Sequence, residues 1–122
     1  MSINCQTRIE EQLADILNLP DGWDEDCKAF RRDEIHFVQV ALESLLGELD
    51  VEPNIFAVYP HDISVEWTSG DSDLDLRIAP AFGTADFRFF VRQAQLLEKT
   101  HFDLRNPAEL ATLRQLLKRI SN

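Results

Sequence analysis

Three kinds of side chain in this sequence could do chemistry: closely spaced carboxylates, three histidines and two cysteines. Asp71, Asp73 and Asp75 alternate as D-x-D-x-D, like the opening of a calcium loop. Such a loop also needs glycine at its sixth place and a bidentate glutamate at its twelfth. Leu76 and Phe82 stand there instead, so the pattern predicts solvated turn and strand carboxylates and no metal site. His36, His61 and His101 fall on separate segments, without the i, i+4 spacing of a helical metal site. His61 and Asp62 are adjacent, and neighbours on a strand point to opposite faces, so they predict no acid–base pair. Cys5 and Cys27 form no C-x-x-C motif and read as two free thiols. Asp24, Glu25 and Asp26 beside Cys27 would raise its pKa and blunt its reactivity. No serine sits in a G-x-S-x-G elbow, and the four glycines do not cluster into a phosphate cradle. With these parts missing, the chain is expected to be no enzyme and to use no cofactor.

What remains is charge and exposed aromatic surface. The net charge of −10 is uneven: residues 1–75 hold 18 acidic and 4 basic side chains, residues 76–122 hold 4 and 8. An acidic first part argues against direct nucleic-acid binding, because phosphate contacts need Lys and Arg. It suits steering towards a basic surface, although ordinary solubility alone also explains acidity. Two partner-binding surfaces follow. One is the acidic loop and turn region of Asp21, Asp24, Glu25 and Asp26, joined by Asp71 and Asp73 if the fold brings them together. The other is the wet face of a sheet around Phe90, which is flanked by Arg88 and Arg92 and lies outward because Phe89 fills the inward slot. Phe90 packed beneath residues 94–102 is the alternative, and Arg77, Arg88 and Arg92 can equally pair with Glu66, Asp75 and Asp86 across the strands.

The elements that must position these residues are legible from periodicity. Thr7 to Glu10 reads as a capping box opening a helix with Ile9, Leu13, Ile16 and Leu17 inward; Pro20 ends it. Pro20-Asp21-Gly22 is turn chemistry, and Trp23 beside it reads as a plug on the core. Residues 24–30 form an acidic loop. A longer helix runs from about Arg32 to Leu49 on a stripe of Ile35, Val38, Leu42, Leu45, Leu46 and Leu49, with Asp33 and Glu34 favouring its N-terminal dipole. Past Pro53 the period becomes 2: strands are expected at Asn54–Tyr59, Asp62–Thr68, Asp73–Ala79 and Thr84–Arg92, with residues 94–99 a candidate edge strand. Ser69-Gly70-Asp71-Ser72 is a hairpin turn, and Pro80-Ala81-Phe82-Gly83 breaks the third strand. Asn106-Pro107-Ala108-Glu109 caps a last helix on Leu110, Leu113, Leu116, Leu117 and Ile120. The sum is one α+β domain over 1–122: two N-terminal helices, an antiparallel meander of four or five strands, and a C-terminal helix, with the helices on one sheet face.

Leu19-Pro20-Asp21-Gly22-Trp23-Asp24 before a helix, Ile63-Ser64-Val65-Glu66-Trp67 in a hairpin, and Phe102-Asp103-Leu104 with Asn106-Pro107 together resemble a widespread group of small bacterial and phage proteins. That group carries an LPxxWD segment and an I-x-x-x-W hairpin. The similarity runs from about residue 10 to 117. It departs after the Trp-Asp pair, where Glu25-Asp26-Cys27-Lys28 replaces a glycine- and alanine-richer stretch. The resemblance implies fold and a mobile-element setting, and no chemistry. No segment reaches the ~20 apolar residues of a membrane span, and Met1–Gln6 has no signal pattern, so a cytoplasmic location is expected. The leading expectation is a small acidic protein that binds, and inhibits, a basic or nucleic-acid-handling protein, of the anti-CRISPR, immunity or antitoxin type. The competing readings are a homodimeric assembly protein using an exposed strand edge, and a small metal-dependent enzyme.

Overall fold

The computed structural model describes residues 2–47, 49–69, 72–91 and 95–118. Asp71, Arg92 and Ile120 lie outside them, so the expectations placed on those three are not addressed. Two helices come first, α1 (Ile3–Leu17) and α2 (Arg32–Leu46). Five strands follow, β1 (Asn54–Val58), β2 (Asp62–Ser69), β3 (Ser72–Ala79), β4 (Thr84–Val91) and β5 (Gln95–Asp103), and then α3 (Pro107–Leu117). The strands form one antiparallel sheet in the order β1-β2-β3-β4-β5, a meander. The fold is α+β, as the pattern implied.

The helix starts and stops follow local chemistry. Helix α1 begins four residues before the expected Thr7, because the Ser2 hydroxyl accepts the backbone N–H of Cys5 and caps it there. Helix α2 stops at Leu46, since Gly47 takes φ 53° and turns the chain, which leaves Leu49 beyond the helix but still against the core. Asn106 caps α3 through its side-chain oxygen, which accepts from Ala108 and Glu109, with Pro107 at the first helical position.

One sheet face is apolar. Ile55, Ile63, Val65, Trp67, Leu74, Leu76, Ile78, Ala85 and Phe87 pack there against Ile9, Leu13 and Ile16 of α1, the α2 stripe, and Leu113 and Leu117 of α3. Fully burying each such side chain contributes on the order of 1.5–3 kcal/mol. The buried Gln12 joins α1 to the edge strand. Its Nε2 donates to the Pro53 carbonyl at 3.0 Å and its Oε1 accepts the Ile55 N–H at 2.8 Å.

Candidate functional site

The candidate site lies where three connections meet: the loop before α2, the β1–β2 turn and the β3–β4 turn. They enclose a cleft of about 550 Å³ lined by Asp26, Cys27, Lys28, Arg31, Glu34, Tyr59, His61 and Phe82, among others.

The loop is built by its own hydrogen bonds. Gly22, at φ 81°, donates to the Cys27 carbonyl, and Cys27 donates back to the Asp24 carbonyl at 2.9 Å. The Asp21 carboxylate accepts the Ala29 N–H at 2.8 Å and closes the ring. Trp23 is half-buried, as the plug reading expects, and its indole N–H donates to the Lys28 carbonyl at 3.0 Å. This folding leaves Asp24, Glu25 and Asp26 exposed at the tip. Glu25 holds φ 52°, a left-handed conformation that costs a non-glycine residue roughly 1 kcal/mol. Among the described residues no cation pairs with any of these three carboxylates.

Behind the tip, the floor of the cleft holds a pair the sequence did not reveal. The Glu34 carboxylate is only 5% exposed, and its Oε1 accepts the Arg31 N–H at 2.9 Å as a helix cap. His61 Nε2 lies 3.1 and 2.9 Å from its two oxygens. An ionised carboxylate only accepts, so Nε2 carries the proton and donates. The imidazole also stacks on Phe30 with centroids 4.3 Å apart, and Phe30 in turn stacks on Trp23 at 6.0 Å. The ring is thus fixed on one edge and one face. The expectation that His61 and Asp62 would not pair holds, because Asp62 accepts instead from Arg77 at 2.9 Å. Glu34 and His61 are 27 residues apart, and no local spacing connects them.

At the rim, Tyr59 and Phe82 are exposed, Phe82 at 70%. The β3–β4 turn projects Phe82: Phe82 and Gly83 both donate to the Ala79 carbonyl, at 3.1 and 2.9 Å. Cys27 is buried, and burial, then Asp24, Asp26 and Glu25, push its thiol up from the ordinary value, as the neighbouring acids predicted. Both cysteines are free. Among the described residues, no three His, Cys, Asp or Glu side chains are grouped to hold a metal ion.

The remaining predicted residues are not brought to this place. Asp73 lies at the start of β3, whose far end leads to Ala81 and Phe82, so about 20 Å of strand separates it from the cleft. The acidic loop and Asp73 are therefore not one surface. The sheet's outer face is internally satisfied rather than open. Arg88 donates Nε and Nη2 to the two oxygens of Asp75 at 2.9 and 2.7 Å, and its guanidinium sits 5.5 Å above the Phe90 ring. Phe90 is half-buried beside a depression of about 290 Å³ shared with Glu66, Asp73 and Asp75. The cross-strand ladder, not the free Phe–Arg anchor, describes this face. Asp75 itself is buried, where alternation alone had put it in water. Glu66, facing Asp75 across the ladder, is raised from the usual carboxylate value by its burial, then by Asp75 and Asp73, against the opposing pull of Arg88.

No helix among the described residues is long and apolar enough to cross a membrane. Comparison with protein families, with curated proteins and with solved structures finds no match to this chain.

Proposed function

We propose that this protein binds a basic protein through the acidic loop and the cleft behind it, and that it inhibits that partner without doing catalysis. The observation that supports this most is that, among the described residues, no cation pairs with Asp24, Glu25 or Asp26. Three acidic side chains on the sheet do have basic partners: Asp75 has Arg88, Asp62 has Arg77, and Asp86 has His101. The three loop carboxylates stand at the tip of a tightly hydrogen-bonded ring, one of them on a left-handed backbone. Exposed Tyr59 and Phe82 lie beside them, so charge for steering and apolar area for affinity meet at one rim. The raised Cys27 thiol, the nucleophile type that lines the cleft with His61, is a poor one. A cytoplasmic partner that handles nucleic acid, as in anti-defence, immunity or antitoxin pairs, presents the kind of basic surface that this rim complements. A homodimer paired through the β1 edge would have to displace the Gln12 amide, which occupies that edge at Pro53 and Ile55.

The test is titration calorimetry at physiological salt against purified nucleases and Cas effector complexes, followed by assay of their cleavage. Binding with loss of cleavage is expected for at least one. The triple reversal Asp24→Lys, Glu25→Lys, Asp26→Lys should abolish it while thermal stability is retained. Unchanged affinity in the reversal variant would refute the proposal.

A further inference from the structure

His61 lines the cleft, and one of its ring nitrogens is left for a ligand. Nε2 of His61 is spent on Glu34, and among the described residues nothing bonds to Nδ1. No buried side-chain nitrogen or oxygen among them lacks a partner, so Nδ1 is open to solvent, on a residue that lines the cleft. With the ring proton held on Nε2 by the carboxylate, a neutral His61 offers Nδ1 as an acceptor.

We propose that the cleft is a recognition site for an arginine side chain of the partner, with His61 Nδ1 accepting from the guanidinium. This rests on the reading of the acidic loop as a partner-binding surface and names what enters behind it. An acceptor selects a donor. The walls are the aromatic Tyr59 and Phe82, on which a planar guanidinium stacks more favourably than a compact ammonium does. The lining itself is charge-balanced, Asp26 and Glu34 against Lys28 and Arg31, with Arg31 3.2 Å from Asp33 and 3.6 Å from Glu34. The negative surplus that favours a cation comes from the exposed Asp24 and Glu25, which precede Asp26 in the loop.

The experiment follows the imidazole nitrogens of the full chain by NMR while N-acetyl-arginine methylamide, its norleucine counterpart or inorganic phosphate is added. The arginine probe should shift His61 and the rings of Tyr59 and Phe82 saturably, with a Kd on the order of 1 mM, and the norleucine probe should not. His61→Phe keeps the stack on Phe30 and should weaken arginine binding at least tenfold. Glu34→Gln lets the amide donate to Nε2, moves the ring proton to Nδ1, and should lose arginine as well. Should Glu34→Gln fail to fold, His61→Phe decides alone. Phosphate binding in place of arginine, or undiminished arginine binding in His61→Phe, overturns the proposal. A protein partner that is lost on loop charge reversal yet indifferent to His61→Phe would also overturn it, while leaving the acidic-loop reading intact.

Discussion

Replacing Gln12 by leucine isolates a single device on which the sheet edge depends. The glutamine amide acts as one residue of a missing sixth strand: it donates to the Pro53 carbonyl and accepts from the Ile55 N–H, both buried contacts. Leucine has a similar volume, so no cavity opens, but two backbone groups are left without partners. Each orphaned buried group costs about 1–3 kcal/mol. The added apolar burial of leucine returns about 1 kcal/mol. The weak bond from Gln12 to the Arg8 carbonyl, at 3.4 Å, adds little. The net expected loss is therefore about 1–5 kcal/mol, or on the order of 10 °C in Tm for a chain of this length. Urea unfolding should show the midpoint fall with an unchanged slope, and hydrogen exchange should show the Ile55 amide lose protection. A bared β1 edge should also raise association in light scattering. A loss below about 1 kcal/mol with Ile55 still protected would refute the reasoning, since water would then be satisfying both groups.

Three further outcomes are expected. Glu66→Gln should stabilise the protein at pH 7. The folded state raises the carboxyl's pKa, so its ionisation costs stability as pH climbs through the raised value; the advantage over the parent should vanish near pH 4, below the ordinary value, in thermal melts across pH. Arg88→Met should cost about 2–4 kcal/mol in chemical denaturation, because Asp75 is left buried without its two strongest bonds, and Asp75→Asn in that background should recover part of the loss. Gly83→Ala should lower stability by about 1–2 kcal/mol, mainly from the left-handed φ of 70°. The flexible Arg105 side chain 2.8 Å from the added methyl can swing aside, so Gly83→Asn, which tolerates that backbone, should cost less in the same melts.

The strands β2, β3 and β4 were legible because Ile63-Val65-Trp67, Leu74-Leu76-Ile78 and Ala85-Phe87-Phe89 alternate with polar residues, and one buried face imposes that period. Strand β5 was read as residues 94–99 but spans Gln95–Asp103. The reason is a bulge: Phe89 pairs with Glu98 but Phe90 pairs with Leu96, so the register shifts partway along the strand pair and no single alternation covers it. The start of α1 was displaced because Thr7-x-x-Glu10 mimics a cap inside a helix already begun at Ser2. At the site, the acidic loop was visible as a run of carboxylates, whereas the Glu34–His61 pair was not. Glu34 looked like a first-turn acid stabilising the helix dipole, and it is one; its second bond, to a turn 27 residues later, has no sequence period. The one available signal was that Glu34 precedes Ile35 at the start of the buried stripe, where an acid without a partner would be costly.

The net charge of −10 invites a uniform reading, and the structure divides it into two parts with opposite physics. On the sheet, acids and arginines from neighbouring strands are pinned together, Asp62 to Arg77 and Asp75 to Arg88, partly shielded from water. Removing either member strands the other, so these charges act on stability and are largely indifferent to salt. On the loop, Asp24, Glu25 and Asp26 are solvated and without cations among the described residues, so they contribute little to folding. Their field extends only about 8 Å at physiological ionic strength, which is enough to reach the rim of the adjoining cleft and not the far end of the sheet. A basic partner would meet that residual field and not the average. Charge reversal on the loop should therefore change association and its salt dependence with folding intact, while reversal on the sheet should unfold the scaffold that holds Tyr59, His61 and Phe82 in place.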